Sequence, residues 1–135
     1  LKDDYEEHKE VTDITTNLDT PYYGVVIATA NPDRLYDHAT IAKAANLCLT
    51  FKGVHAAFVM GKVSNREMRV SARSDGTINV SLLAERLGGG GHFTSAAVTF
   101  NTSDPREVKN AILAVLESSL TEATNKGLPK NSEED

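Results

Sequence analysis

Residues 54–100 read VHAAFVMGKVSNREMRVSARSDGTINVSLLAERLGGGGHFTSAAVTF, and the periodicities inside this stretch decide the fold. Residues 54–63 are a nearly continuous apolar run, as expected of a strand buried on both faces. After a turn at Ser64-Asn65-Arg66, residues 67–73 alternate strictly. Met68, Val70 and Ala72 point one way; Arg69, Ser71 and Arg73 point the other. Two such strands joined by a tight turn predict a hairpin. Asp75-Gly76 turns the chain again, Asn79 caps a helix, and Val80, Leu83, Ala84 and Leu87 recur at helical spacing. Gly88, Gly89, Gly90 and Gly91 stop that helix, and residues 96–100 return as a strand.

Toward the N-terminus, Ile41, Ala44, Ala45, Cys48 and Leu49 predict a helix over 37–51, with Gly53 at its end. Residues 23–30 (YGVVIATA) read as another buried strand, preceded by a break at Thr20-Pro21 and followed by a turn at Asn31-Pro32-Asp33. Residues 1–18 support a weak helix or a linker. Toward the C-terminus, Asp104-Pro105-Arg106-Glu107 supplies a cap, a proline at the first helical position and an early acid. The helix that follows is expected to bury Val108, Ala111, Ile112, Val115, Leu116 and Leu120. The order is (α)-β-α-β-β-α-β-α, an α/β fold with a mixed β-sheet flanked by helices. A linker helix is expected at 1–19, one domain at 20–121 and a polar tail at 122–135.

The chain has 135 residues, with 14 Lys+Arg against 19 Asp+Glu for a net charge of −5. The acidity sits at the ends: residues 1–19 hold two lysines against seven acids, and residues 121–135 two lysines against four acids. The middle keeps ten basic and eight acidic residues, a net +2. That core suits a small anion better than long nucleic acid gripped by bulk charge. A single cysteine, Cys48, excludes a disulfide framework and a Cys-rich zinc site, and fits a reducing, cytoplasmic setting. No run approaches the roughly 18–20 apolar residues of a membrane span.

The glycine run is the strongest local signal for chemistry. Each glycine costs roughly 0.5–1 kcal/mol relative to alanine, so four in a row serve either a flexible connector or a backbone that something approaches closely. Successive free N–H groups there would form an anion-binding nest. His92, directly after, is a hydrogen-bond donor for a phosphate oxygen or base edge, or an incidental cap. Arg73 and Ser71 put a guanidinium fork and a hydroxyl on one strand face, a usable phosphate clamp, whereas Arg69 alone reads as an ordinary solvated side chain. Asp37-His38-Ala39 falls one histidine short of a metal-binding triplet and opens a helix, and His55 reads as a core histidine. No Ser-His-Asp set or carboxylate pair with a clear role is legible.

The stretch SARSDGTINVSLLAERLGGGGHFTSAA resembles the C-terminal DHH-associated substrate-binding domain of DHH-family phosphoesterases. The motif carrying the resemblance is Gly89-Gly90-Gly91-His92 followed by Ala96-Ala97. With DRLYDHATIAKAANLCLTFKGVHAAFV and the segment Ser71-Ala72-Arg73-Ser74, the chain is similar over roughly residues 20–120 to the membrane-anchored cyclic-di-AMP phosphodiesterases. Val98 stands where short-RNA exonucleases and 3′-phosphoadenosine phosphatases usually continue with glycine. The resemblance implies that Ser71, Arg73, Gly88, Gly89, Gly90, Gly91 and His92 bind a cyclic dinucleotide or short oligonucleotide. It implies no catalytic residue and no metal ligand in this chain. Two manganese ions are expected in a separate DHH domain of the same polypeptide, upstream of an acidic linker. The expected activity of the whole is Mn-dependent hydrolysis of cyclic-di-AMP to pApA, in the cytoplasm and under a membrane anchor elsewhere in the protein. A short-RNA exonuclease, a 3′-phosphoadenosine phosphatase and a non-enzymatic RNA-binding module are the alternatives, and the resemblance also allows a homodimer.

Overall fold

The hairpin read from the middle of the sequence is the middle of the sheet. In a computed structural model, which describes residues 4–125, β3 (Ala56–Ser64) and β4 (Glu67–Ser74) pair antiparallel from Ala56↔Ser74 to Ser64↔Glu67. The chain enters through α1 (Asp4–Ile14), β1 (Leu18–Tyr22), β2 (Val25–Thr29) and α2 (His38–Cys48). It leaves through α3 (Val80–Arg86), β5 (Gly90–His92), β6 (Ser95–Phe100) and α4 (Pro105–Asn125). The six strands form one mixed sheet in the order β1-β2-β3-β4-β6-β5, parallel only between β2 and β3, where α2 makes the crossover. The expected α/β class and the order of the central elements hold.

Alternation along the strands divides the molecule into two apolar layers. On one face Ile27, Phe58, Met60, Val70, Ala72, Ala96 and Val98 pack with Val80 and Leu83 of α3 and with Val108, Ile112 and Leu116 of α4. On the other, Val26, Ala28, Ala57 and Val59 pack with Ile41, Ala44, Ala45 and Cys48 of α2 and with Val11 and Ile14 of α1. Cys48 is fully buried, and that burial pushes its thiol up to about 11, so it is core and chemically quiet. The expected caps are in place: Asn79 Oδ1 accepts from the backbone of Ser81 (3.0 Å) and Leu82 (3.3 Å), and Asp104 Oδ1 accepts from Arg106 N (3.0 Å).

Four local expectations change. The N-terminal helix packs into the body, with the buried Glu10 carboxylate paired to Arg34 at 2.9 Å. Strands β1 and β5, absent from the sequence reading, are the two edges of the sheet. Leu120 is 51% exposed rather than buried, and the buried stripe of α4 ends one turn earlier at Leu116. His55 is no core residue: it stands exposed just before β3, with Nδ1 2.5 Å from Asp75 Oδ2. The tail expected at 122–135 falls, beyond residue 125, outside the described residues. Among the described residues, no helix is long and apolar enough to cross a membrane.

Candidate functional site

Helix α2 covers only part of its face of the sheet, and the strand register shows where the cover ends. Under α1 and α2, β2 and β3 present alanine and valine; carried on to β4, which α2 also contacts, and to β6 and β5, the same rows give way to polar and small residues. One row runs Ala57, Arg73, Ser95, His92, and the next runs Val59, Ser71, Ala97, Gly90. A third runs Gly61, Arg69, Thr99. Directly paired residues share a face, with Cβ atoms about 4.5–5.5 Å apart. This half is one wall of a cleft of about 340 Å³, lined by Arg69, Ser71, Arg73, Gly90, Gly91 and residues 95–97. The other wall is the start of α2, where His38, Ala39 and Ala42 face the strands with little bulk.

Arg73 is fixed before any ligand arrives. Its Nε donates to Asn46 Oδ1 of α2 at 2.9 Å, and Nη1 to the carbonyls of Ala72 (3.0 Å) and Ala96 (3.4 Å). Burial, and after it the charge of Arg69, lower its pKa, yet a guanidinium stays charged in a protein. An anion in the cleft would relieve both strains. Ser71, 3% exposed, sits between the two arginines on β4. Among the described residues, no aspartate or glutamate lines the cleft, so the formal charge of this lining is positive. The bonds at Nε and Nη1 hold the guanidinium in place and leave Nη2 to donate to a phosphate oxygen.

The four glycines divide the labour. Gly88 has φ of 88°, the left-handed conformation that ends α3. A Cβ on Gly89 would lie 2.2 Å from the Ala97 carbonyl oxygen, and one on Gly91 2.5 Å from Ala96 Cα, so both are glycine because β6 passes too close. Gly90 answers to neither demand: a Cβ there would meet nothing within 4 Å. It pairs with Ala97 and opens onto the cleft, leaving bare backbone where a ligand can lie. The run is therefore no continuous nest. Residues 90–92 form an edge strand, so half of their backbone groups bond β6 and only the outward half are available.

Of the residues picked from the sequence, the structure brings Ser71, Arg73, Gly90 and Gly91 to one cleft. His92 stands exposed at the outer end of the row that contains Arg73, two strands away across Ser95. Gly88 and Gly89 hold the backbone that delivers Gly90. Three residues were passed over. Arg69 lines the cleft instead of a solvated face, because α2 stands over that part of the sheet. His38 opens α2 at the cleft wall. Asn46 orients Arg73, and the helical spacing Ala39, Ala42, Asn46 was the available signal: a stripe of small and polar residues beside the apolar one. Among the described residues, no three His, Cys, Asp or Glu side chains converge to hold a metal ion.

Comparisons with known proteins show the family and the fold. The DHHA1 domain family matches residues 23–122. Cyclic-di-AMP phosphodiesterase GdpP of Geobacillus thermodenitrificans is 44% identical over 75 residues, 56% of this chain and 11% of that protein. Cyclic-di-AMP phosphodiesterase PdeA of Listeria monocytogenes is 30% identical over 118 residues, 87% of this chain and 18% of that protein. The chain thus spans less than a fifth of the length of these relatives. An exopolyphosphatase-related protein from Bacteroides fragilis superposes with a TM-score of 0.69 at 18% identity, over 91% of this chain and 36% of that one, which shows the shared fold.

Proposed function

We propose, from the premise that this chain belongs to the DHHA1 domain family, that it is the substrate-gripping part of a phosphodiesterase that opens cyclic-di-AMP to linear pApA. The observation that carries this reading is the cleft between α2 and β4-β6-β5, which faces a pre-fixed guanidinium toward side-chain-free backbone at Gly90. Arg73 would offer the N–H groups of Nη2 to a phosphate of the substrate, with Ser71 and the outward groups of β5 completing its hydrogen bonds. Ala39, Ala42 and Ala97 keep the volume open for the sugar and base, and His92 stands at the rim within reach of an outer phosphate or base edge.

The cleft does not fit a divalent cation, because Arg69 and Arg73 make it positive and, among the described residues, no carboxylate lines it. In this reading the manganese pair belongs to a DHH domain of the same polypeptide, where such ions polarise a phosphoryl oxygen and activate water. The role of this chain is to bind and to orient the scissile phosphodiester toward that domain, an entropic contribution to catalysis. Anchoring of the whole enzyme to a membrane would fall to segments other than residues 4–125.

Calorimetric titration of the chain with cyclic-di-AMP, linear pApA and 3′-phosphoadenosine tests the substrate. The expected order places cyclic-di-AMP first; a clear preference for 3′-phosphoadenosine would overturn it. The chain alone, given manganese, should show no turnover, and measurable hydrolysis would sink the division of labour.

A further inference from the structure

Arg69 and Arg73 rise from the same face of β4 into one cleft, four residues apart, which places their Cα atoms about 13 Å from each other. They are not equivalent. Arg73 spends its donors on Asn46, Ala72 and Ala96 and is held rigid. Arg69 makes one long bond, Nη1 to Thr99 Oγ1 at 3.4 Å, and its Nε is buried with no partner at all. A buried, charged donor without an acceptor costs folding free energy, and its like-charged neighbour adds to that cost. Nothing in the folding of the chain recovers it: among the described residues, no carboxylate pairs with Arg69. An anion held by the outer Nη2 of the guanidinium would offset the charge that burial and the neighbouring arginine make costly.

We propose that Arg69 forms a second anion subsite, so that the cleft takes one ligand by two phosphates, Arg73 holding the first and Arg69 the second. This rests on the reading that the cleft binds nucleotides. Ser71, placed between the arginines on the same face, marks the span the ligand crosses. The class selected is a dinucleotide carrying two phosphate groups, in preference to any nucleoside monophosphate, which can fill only one subsite.

The test compares AMP, with one phosphate, and linear pApA, with two, on the unaltered chain and on Arg69→Gln and Arg69→Lys, with melting temperatures measured in parallel. Arg69→Gln should weaken pApA by about tenfold or more, the loss of one charge-assisted contact, and leave AMP unchanged. Arg69→Lys should recover part of the pApA affinity through its charge. Equal weakening of both ligands would put Arg69 on the same phosphate as Arg73 and overturn the proposal, as would unaltered pApA binding in Arg69→Gln. If the unaltered chain binds neither ligand, the nucleotide reading itself fails, an outcome distinct from both.

Discussion

Strands β4 and β6 carry two faces with opposite fates. On one, Val70, Ala72, Ala96 and Val98 are sealed beneath α3 and α4. On the other, one residue away at every step, Arg69, Ser71, Arg73, Ser95 and Ala97 line a cleft whose far wall is the start of α2. The sealed face makes the strands stable enough to present the open face in fixed register. Function is confined to the alternate positions that packing does not need. The same division runs through the glycines, where Gly89 and Gly91 serve the packing against β6 and Gly90 serves the cleft.

Substitutions can break or sharpen this contrast. The largest effect belongs to the sealed face: Ile112→Ala should cost about 2–5 kcal/mol in denaturant unfolding while the folded protein keeps its affinity for cyclic-di-AMP. On the open face, Arg73→Ala should reverse that pattern. It should lose about 1.5–3 kcal/mol of nucleotide binding, roughly tenfold to a hundredfold by titration, with little change in melting temperature. Loss of folding in Arg73→Ala would place that residue with the core and erase the contrast. Within the glycine run, Gly89→Ala should cost about 1–3 kcal/mol of stability, since its methyl has no room beside Ala97. Gly90→Ala should stay within about 0.5 kcal/mol and weaken ligand binding instead. Equal stability losses at the two positions would contradict the division of labour.

The smallest effect concerns the end of β4, just past Arg73. There the bond from His55, followed by those from Thr77, draws the Asp75 carboxyl down to about 2. A depressed carboxyl pKa contributes stability above the ordinary carboxylate range and loses it as pH falls toward the folded value. Asp75→Asn should therefore be slightly less stable than the unaltered chain at neutral pH, and the difference should close near pH 2. An NMR titration that placed Asp75 near 4 would remove the effect.

Much of this was legible in the sequence. The alternation of residues 67–73, the Asn79 cap and the spacing of Val108, Ile112 and Leu116 each report a local rule that tertiary packing then obeyed. The two strands that were missed are both edges. β1 reads LDTPY, where an aspartate and a proline interrupt the strand pattern, and β5 reads GGH, with no β-branched or apolar side chain at all. Their pairing comes from the neighbour they lie against. Arg73 and Gly90 stood out by residue type, but Arg69, His38 and Asn46 did not. Their part in the site depends on how far α2 reaches across the sheet, a tertiary quantity with no local signature. His55 misled for the related reason that an apolar run tells where a strand lies better than where it begins.

The central claim is that the cleft between α2 and β4-β6-β5 holds the phosphates of a cyclic dinucleotide. Backbone and arginine side-chain NMR of the chain during titration with cyclic-di-AMP tests it most directly. The account predicts saturable shifts at Ser71, Gly90 and Ala97, at the Arg69 and Arg73 guanidinium groups, and at the Asn46 amide that holds Arg73. Shifts confined to the opposite end of the sheet, at the groove lined by residues 64–67 and 101–103, or no saturable shift at all, would contradict it.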